Sequence, residues 1–183
     1  GMGVLVFLLA VVPLSGGSNV NLMRAESPGP SFGKLVPKLK TTARLLYLIY
    51  FGLTIIQIIL LICGRMPVFD AITTSFGTAG TGGFGIKNDS IAGYSLYIKW
   101  VVTIFMILFG VNFNAYYLIL YKKFKSAFAM EEVKAYLIII IVSVVCIFFN
   151  ILKMSTSAVN AITDSAFQVA SIITTTGFST TDF

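Results

Sequence analysis

Histidine is absent from the sequence, and cysteine occurs only at Cys63 and Cys146, far apart in the chain. A zinc or haem site therefore lacks its usual donors at ligand spacing. Both cysteines fall inside or at the edge of apolar runs, where they read as inert, buried thiols acting as small hydrophobes. Charge is scarce too. Only 11% of the 183 residues are Asp, Glu, Lys or Arg while 57% are hydrophobic, against roughly a quarter charged in soluble domains. An ordinary soluble domain is excluded. The scarcity is sharpest in residues 45–64, 100–121 and 135–152, which contain no Asp, Glu, Lys or Arg. A multi-span membrane enzyme needs convergent nucleophiles, acids or metal ligands, and these runs supply none.

What is present is apolar length. Each of the three runs approaches the roughly 20 residues with which a helix crosses about 30 Å of hydrocarbon. The opening run, residues 1–14, is shorter. Without an initiator Met or a basic n-region it does not read as a signal peptide, and it is read as the end of a helix that starts upstream. The chain also stops at Asp182-Phe183, after a Thr/Gly-rich loop and before any closing helix.

The thirteen basic residues are unevenly placed between the spans. Arg24, Lys34, Lys38, Lys40 and Arg44 lie before the first run, and Lys122, Lys123, Lys125 and Lys134 between the second and third. Arg65, Lys87, Lys99 and Lys153 fall in the remaining segments. Nine against four assigns residues 15–44 and 122–134 to the cytoplasm, and 65–99 and 153–183 to the outside. The net charge of +6 is then all cytoplasmic and needs no nucleic acid to explain it.

The sequence also repeats. At an offset of 94 residues Lys40 meets Lys134, Asp70 meets Asp164, Thr81 meets Thr175, Gly83 meets Gly177, Phe84 meets Phe178, and residues 45–64 fall on 139–158. Repeats of this kind in membrane proteins place a transport path at the repeat interface. Each repeat reads as an outer helix, a short outside segment, a Thr/Gly loop and a returning inner helix. The stretches 67–79 and 161–173 are too short to span and read as re-entrant helices entering from outside.

Each re-entrant helix leads into a Thr/Gly loop: Thr81-Gly82-Gly83-Phe84-Gly85 and Thr175-Thr176-Gly177-Phe178-Ser179. Irregular backbone at membrane depth is tolerated only against protein or a water-filled path. Its carbonyls there can replace a cation's hydration shell, as in potassium filters. Gly82, Gly83 and Gly177 permit the positive φ that aims successive carbonyls at one axis, Thr81 and Thr175 can add hydroxyl oxygens, and Phe84 and Phe178 would pack behind the loops. The helix C-termini add partial negative charge. Asp70 and Asp164 are placed in the first helical turns, either as caps or as solvated loop carboxylates.

Thr-Gly-Gly-Phe-Gly resembles the Thr-Val-Gly-Tyr-Gly filter of potassium channels. The repeated unit with its looser Thr-x-Gly-Phe loop resembles the TrkH/KtrB superfamily of potassium transporters over essentially the whole chain. The stretches most specific to the TrkH branch are Gly1-Met2-Gly3, the run Arg24-Ala25-Glu26-Ser27-Pro28-Gly29-Pro30, and the run from Ser75 to Phe84. The resemblance implies an all-α membrane protein of helix–pore loop–helix units around a central pore, with this chain covering part of three units. Residues 1–14 would end the first inner helix and 15–40 form a cytoplasmic loop. Residues 41–122 would form the complete second unit, 123–134 a second cytoplasmic loop, and 135–183 the outer helix, pore helix and filter of the third. It further implies K⁺ uptake across the inner cell membrane by a multi-pass, lipid-embedded, non-enzymatic protein without cofactors. The K⁺ filter would comprise Gly80, Thr81, Gly82, Gly83 and Phe84 with Thr174, Thr175, Thr176, Gly177 and Phe178. Homodimerisation and a cytosolic nucleotide-binding regulatory subunit, TrkA-like, complete the expectation.

Other readings explain less. Gly80-Thr81-Gly82-Gly83-Phe84-Gly85 matches G-x-G-x-x-G, but a dinucleotide site needs a strand before it and a helix N-terminus after it. A surface Gly-rich turn does not account for two matching loops. A permease of another cation or solute with re-entrant loops would not require them either. In the run 100–121, Gly110, Asn112 and Asn114 interrupt the apolar pattern, and the asparagines suit either a wet cavity or interhelical hydrogen bonds.

Overall fold

Long runs of Leu, Ile, Val and Phe without internal Pro or charge satisfy their backbone as helices, and the computed structural model is helical throughout its regular structure. It describes residues 39–120, 122–152 and 157–180. In chain order the helices are α1 (Leu39–Cys63), α2 (Val68–Ala79), α3 (Leu96–Gly110), α4 (Phe113–Leu120), α5 (Phe124–Ala129), α6 (Glu131–Ile151) and α7 (Ala158–Ile173). There is no strand among the described residues. The expected segments 1–14 and most of 15–40 lie outside them, as does the chain end at 181–183.

The chain divides into two compact bodies, Gly1–Gly52 with Asn112–Lys134 and Leu53–Val111 with Ala135–Phe183. In the first, α4 packs against α5. Glu131 and Glu132 occupy the first turn of α6, where carboxylates favour the positive end of the helix. The Asn112 amide donates to the Glu132 carboxylate, so Asn112 serves interhelical bonding. The side chain of Asn114 lies outside the described residues.

In the second body α3 packs against both short helices, α2 and α7. Met66, Leu61, Val102, Met106, Phe167 and Phe178 are buried there. α1 and α6, with 25 and 21 residues, are long enough at 1.5 Å per residue to cross about 30 Å. Their outward residues Leu48, Phe51, Ile59, Ile138, Ile141 and Phe149 are exposed and apolar. That surface suits hydrocarbon, not water. Cys63 and Cys146 are free and exposed, which corrects the expectation of burial: they lie on outward apolar surface, not in the core. α2 and α7, with 12 and 16 residues, are too short to span.

The run 100–121 was expected to form one helix and forms two. α3 ends at Gly110, Val111 is extended (φ −71°, ψ 141°), and the Asn112 carbonyl accepts from the Ala115 amide as α4 begins. Glycine in a helix interior costs about 0.5–1 kcal/mol relative to alanine, and β-branched Val111 accepts the extended conformation readily. Gly64 behaves as a close-packing position, since a methyl group there would lie 2.7 Å from Cδ1 of Tyr97.

Candidate functional site

The two Thr/Gly loops leave the ends of α2 and α7 in the same way. Gly80 and Thr174 cap the helices at φ −80°, ψ 0° and φ −90°, ψ 2°. Their amides donate to Phe76 and Ala170 carbonyls at 2.8 and 3.1 Å. Thr81 and Thr175 then turn into the left-handed region at φ 49° and 56°, donating to Thr78 and Ile172 at 3.1 and 3.0 Å. The amides of Gly82 and Gly83 both reach the carbonyl of Gly77, at 2.9 and 3.3 Å, and those of Thr176 and Gly177 both reach Ser171, at 2.9 and 3.4 Å. Every one of these partners is offset by 94 residues, as 171 − 77 shows.

This register determines where the carbonyls go. In a planar trans peptide the C=O of one residue points opposite to the N–H of the next. With the amides of residues 81–83 and 175–177 turned back to the helix ends, the carbonyls of Gly80, Thr81 and Gly82, and of Thr174, Thr175 and Thr176, turn away. No hydrogen bond from a described residue reaches the carbonyl of Gly80, Thr81, Gly82 or Thr175. The Thr175 hydroxyl donates to the carbonyl of Thr174 at 2.7 Å. Free carbonyls at the negative ends of two short helices form an oxygen-rich environment suited to a weakly hydrated cation.

The glycines divide by need. Gly83 and Gly177 have φ 64° and 91°, as expected of them. Gly82 does not, and its partner at the offset is β-branched Thr176; the left-handed residues beside the glycines are Thr81 and Thr175. A side chain at Gly83 would collide with the carbonyl oxygen of Thr176 and lie 2.8 Å from the carbonyl carbon of Gly177. The two loops are therefore in direct backbone contact.

Phe178 is 1% exposed whereas Phe84 is 83% exposed, so among the described residues only Phe178 packs behind its loop. Its Cζ lies 2.9 Å from where a methyl group on Gly77 would sit, seating it against α2. No described residue covers Phe84 in the same way. The Ser171 hydroxyl donates to the Phe178 carbonyl at 2.6 Å and accepts from the Gly177 amide at 3.1 Å. At the end of the second loop, the Ser179 amide donates to the Ser90 hydroxyl at 3.2 Å and the Ser179 carbonyl accepts from the Ile91 amide at 3.1 Å, strapping the two repeats together.

Asp70 lies in the first turn of α2, but Pro67 occupies the cap position and no side-chain cap bond forms. Asp70 instead accepts from the Tyr94 hydroxyl at 2.6 Å. Burial first, and then this bond, push the Tyr94 phenol well above its ordinary value, and Lys87 sits over the Tyr94 ring at 4.2 Å. Asp164 departs from the first-turn expectation: α7 begins at Ala158 behind the Ser157 cap, so Asp164 is its seventh residue. The cause is proline. Pro67 keeps the residue before it out of helical conformation and stops α2 from extending upstream, whereas its counterpart at the offset is Ala161.

Tyr94, Ser171 and the Ser90 strap were not singled out by sequence reasoning. Hydroxyls that bond to groups four or more residues away leave no periodic signal. Thr78, which receives the buried Gln57 amide at 3.0 Å and donates to the carbonyl of Thr74 at 2.8 Å, is of the same kind.

Paired short helices, each leading into a loop of the same hydrogen-bond register, together with long helices that have lipid-suited faces, define a membrane transporter built of helical repeats. The family described as TrkH, cation transport protein, matches residues 1–183. This chain belongs to it. The Trk system potassium uptake protein TrkH of Salmonella typhimurium is 34% identical over 189 residues, which cover 98% of this chain and 38% of that protein. TrkG of Escherichia coli, also a Trk system potassium uptake protein, is 30% identical and is covered over 39% of its length. The crystal structure of the potassium transporter TrkH from Vibrio parahaemolyticus superposes with a TM-score of 0.79 at 28% identity, covering 98% of this chain and 36% of that one. The chain thus spans less than two fifths of the relatives it matches.

Proposed function

We propose that this chain forms part of a pore for potassium uptake across the inner cell membrane, selective through backbone carbonyls. Gly80, Thr81, Gly82, Gly83 and Phe84 form one wall of the filter, and Thr174, Thr175, Thr176, Gly177 and Phe178 another. The repeated amide register carries this reading, because it turns matching sets of carbonyls away from both short helices. Names of the relatives support potassium as the transported ion. Carbonyl oxygens at fixed spacing replace the hydration of a larger, more weakly hydrated cation more readily than that of a smaller one. Asp70 supports its short helix through Tyr94, and Asp164 lies in the second turn of α7.

In this reading residues 41–122 are one helix–pore loop–helix repeat and 135–183 begin the next. Residues 123–134 are a cytoplasmic loop; the segments 1–14 and most of 15–40 lie outside the described residues. That basic loop is where a nucleotide-binding regulatory subunit docks, and the whole protein assembles as a homodimer. Rubidium uptake by the full-length protein in liposomes, with sodium as competitor, tests the filter. Gly83→Ser and Gly177→Ser are expected to lower discrimination against sodium, and wild-type discrimination in both overturns the assignment.

A further inference from the structure

Gly110, where α3 ends, lies against the base of the second loop. A methyl group there would lie 2.8 Å from Cγ2 of Thr174 and would also collide with the Tyr136 hydroxyl. The two neighbours differ in freedom. The Tyr136 hydroxyl, which donates to the carbonyl of Ile107 at 3.2 Å, is the far end of a long side chain and can swing aside. Thr174 is pinned: its amide donates to the Ala170 carbonyl at 3.1 Å, its hydroxyl donates to the same carbonyl at 2.7 Å, and that hydroxyl also meets the Thr176 hydroxyl at 2.7 Å. Thr176 is in turn the residue whose carbonyl lies against Gly83. A displacement imposed on Thr174 therefore has a short, packed route to the contact between the two loops.

We propose that Gly110 is a positioning residue for the filter: having no side chain, it lets the end of α3 approach Thr174 and so fixes the Thr174–Thr176 hydroxyl pair and the loop spacing at Gly83. This rests on the filter reading above. The residue at position 110 then tunes ion discrimination without touching the ion, and it acts across repeats, from the inner helix of one to the loop of the next.

The test is made in the full-length protein in liposomes, reading the ratio of rubidium to sodium uptake, with size-exclusion profiles to establish assembly. Gly110→Ala is expected to lower the ratio several-fold. Thr174→Ser removes the obstructing methyl and keeps the hydroxyl, so Gly110→Ala with Thr174→Ser is expected to return the ratio to that of Thr174→Ser alone, which is measured beside it. Gly110→Ala with Tyr136→Phe, which relieves only the other neighbour, is expected to stay low. A wild-type ratio in Gly110→Ala, or rescue by Tyr136→Phe and not by Thr174→Ser, overturns the proposal. Gly83→Ala runs alongside: a lowered ratio there with an unchanged one in Gly110→Ala rejects the role of Gly110 alone, whereas unchanged ratios in both reject the filter reading as well.

Discussion

The carbonyl oxygen of Thr176 occupies the space a side chain at Gly83 would need. Gly177, the offset partner of Gly83, has a positive φ of 91° but no atom within 4 Å of where its Cβ would sit. Equivalent positions in the repeat are thus under different constraints.

A graded series follows for alanine. Gly177→Ala is expected to cost about 1–2 kcal/mol, the strain of a left-handed residue alone. Gly83→Ala adds a backbone collision and should cost more, and Gly82→Ala, with no positive φ, should cost least. Thermal melts of the purified full-length protein rank them, and a Gly82→Ala loss equal to that of Gly83→Ala contradicts the ranking.

Ser171→Ala removes the bonds to the Phe178 carbonyl and the Gly177 amide. The Gly177 amide keeps the backbone carbonyl of residue 171, so the loss falls on the buried Phe178 carbonyl, and leaving such a group without a partner costs about 1–3 kcal/mol. We expect a lower melting temperature and reduced rubidium selectivity, with Ser171→Thr retaining more of both than alanine.

Tyr94 carries a pH dependence. Its folded-state value is raised, chiefly by burial and then by Asp70, so the unfolded chain ionises first. The contribution of Tyr94 to stability is intact below about pH 10, the ordinary phenol value, and is lost as pH rises from there towards the folded value. Tyr94→Phe should therefore lose less stability than wild type on going from pH 9 to pH 11, as measured by melting temperature. Parallel curves would exclude this role.

Orientation is tested at Lys122, exposed between α4 and α5. With the exposed Cys63 and Cys146 replaced by alanine, a Lys122→Cys variant should react with an impermeant maleimide in inside-out vesicles and not in intact cells. The reverse pattern inverts the topology.

The short helices and both loops were legible in the sequence because glycine and threonine at fixed spacing, after apolar segments too short to span, reflect one backbone requirement. The 94-residue offset also carried the hydrogen-bond register. It failed where a single residue broke the symmetry: Pro67 against Ala161 moved the start of one helix and left Asp164 out of the first turn. The break of the inner helix was marked by Gly110 and Asn112, yet an unbroken apolar run outweighed them, because hydropathy does not register an extended Val111. Gly82 was grouped with its neighbours although only backbone angles distinguish it. Tyr94 and Ser171 form bonds that depend on tertiary placement and have no pattern in the chain.

Phe178 is seated against Gly77, the glycine of the preceding repeat's short helix, and Phe84 stands free at the same place in its own loop. The joint between the two described repeats is thereby one-way: the later loop is keyed into the earlier short helix, as an upper stair rests on the lower one, and no described side chain is keyed in the opposite sense.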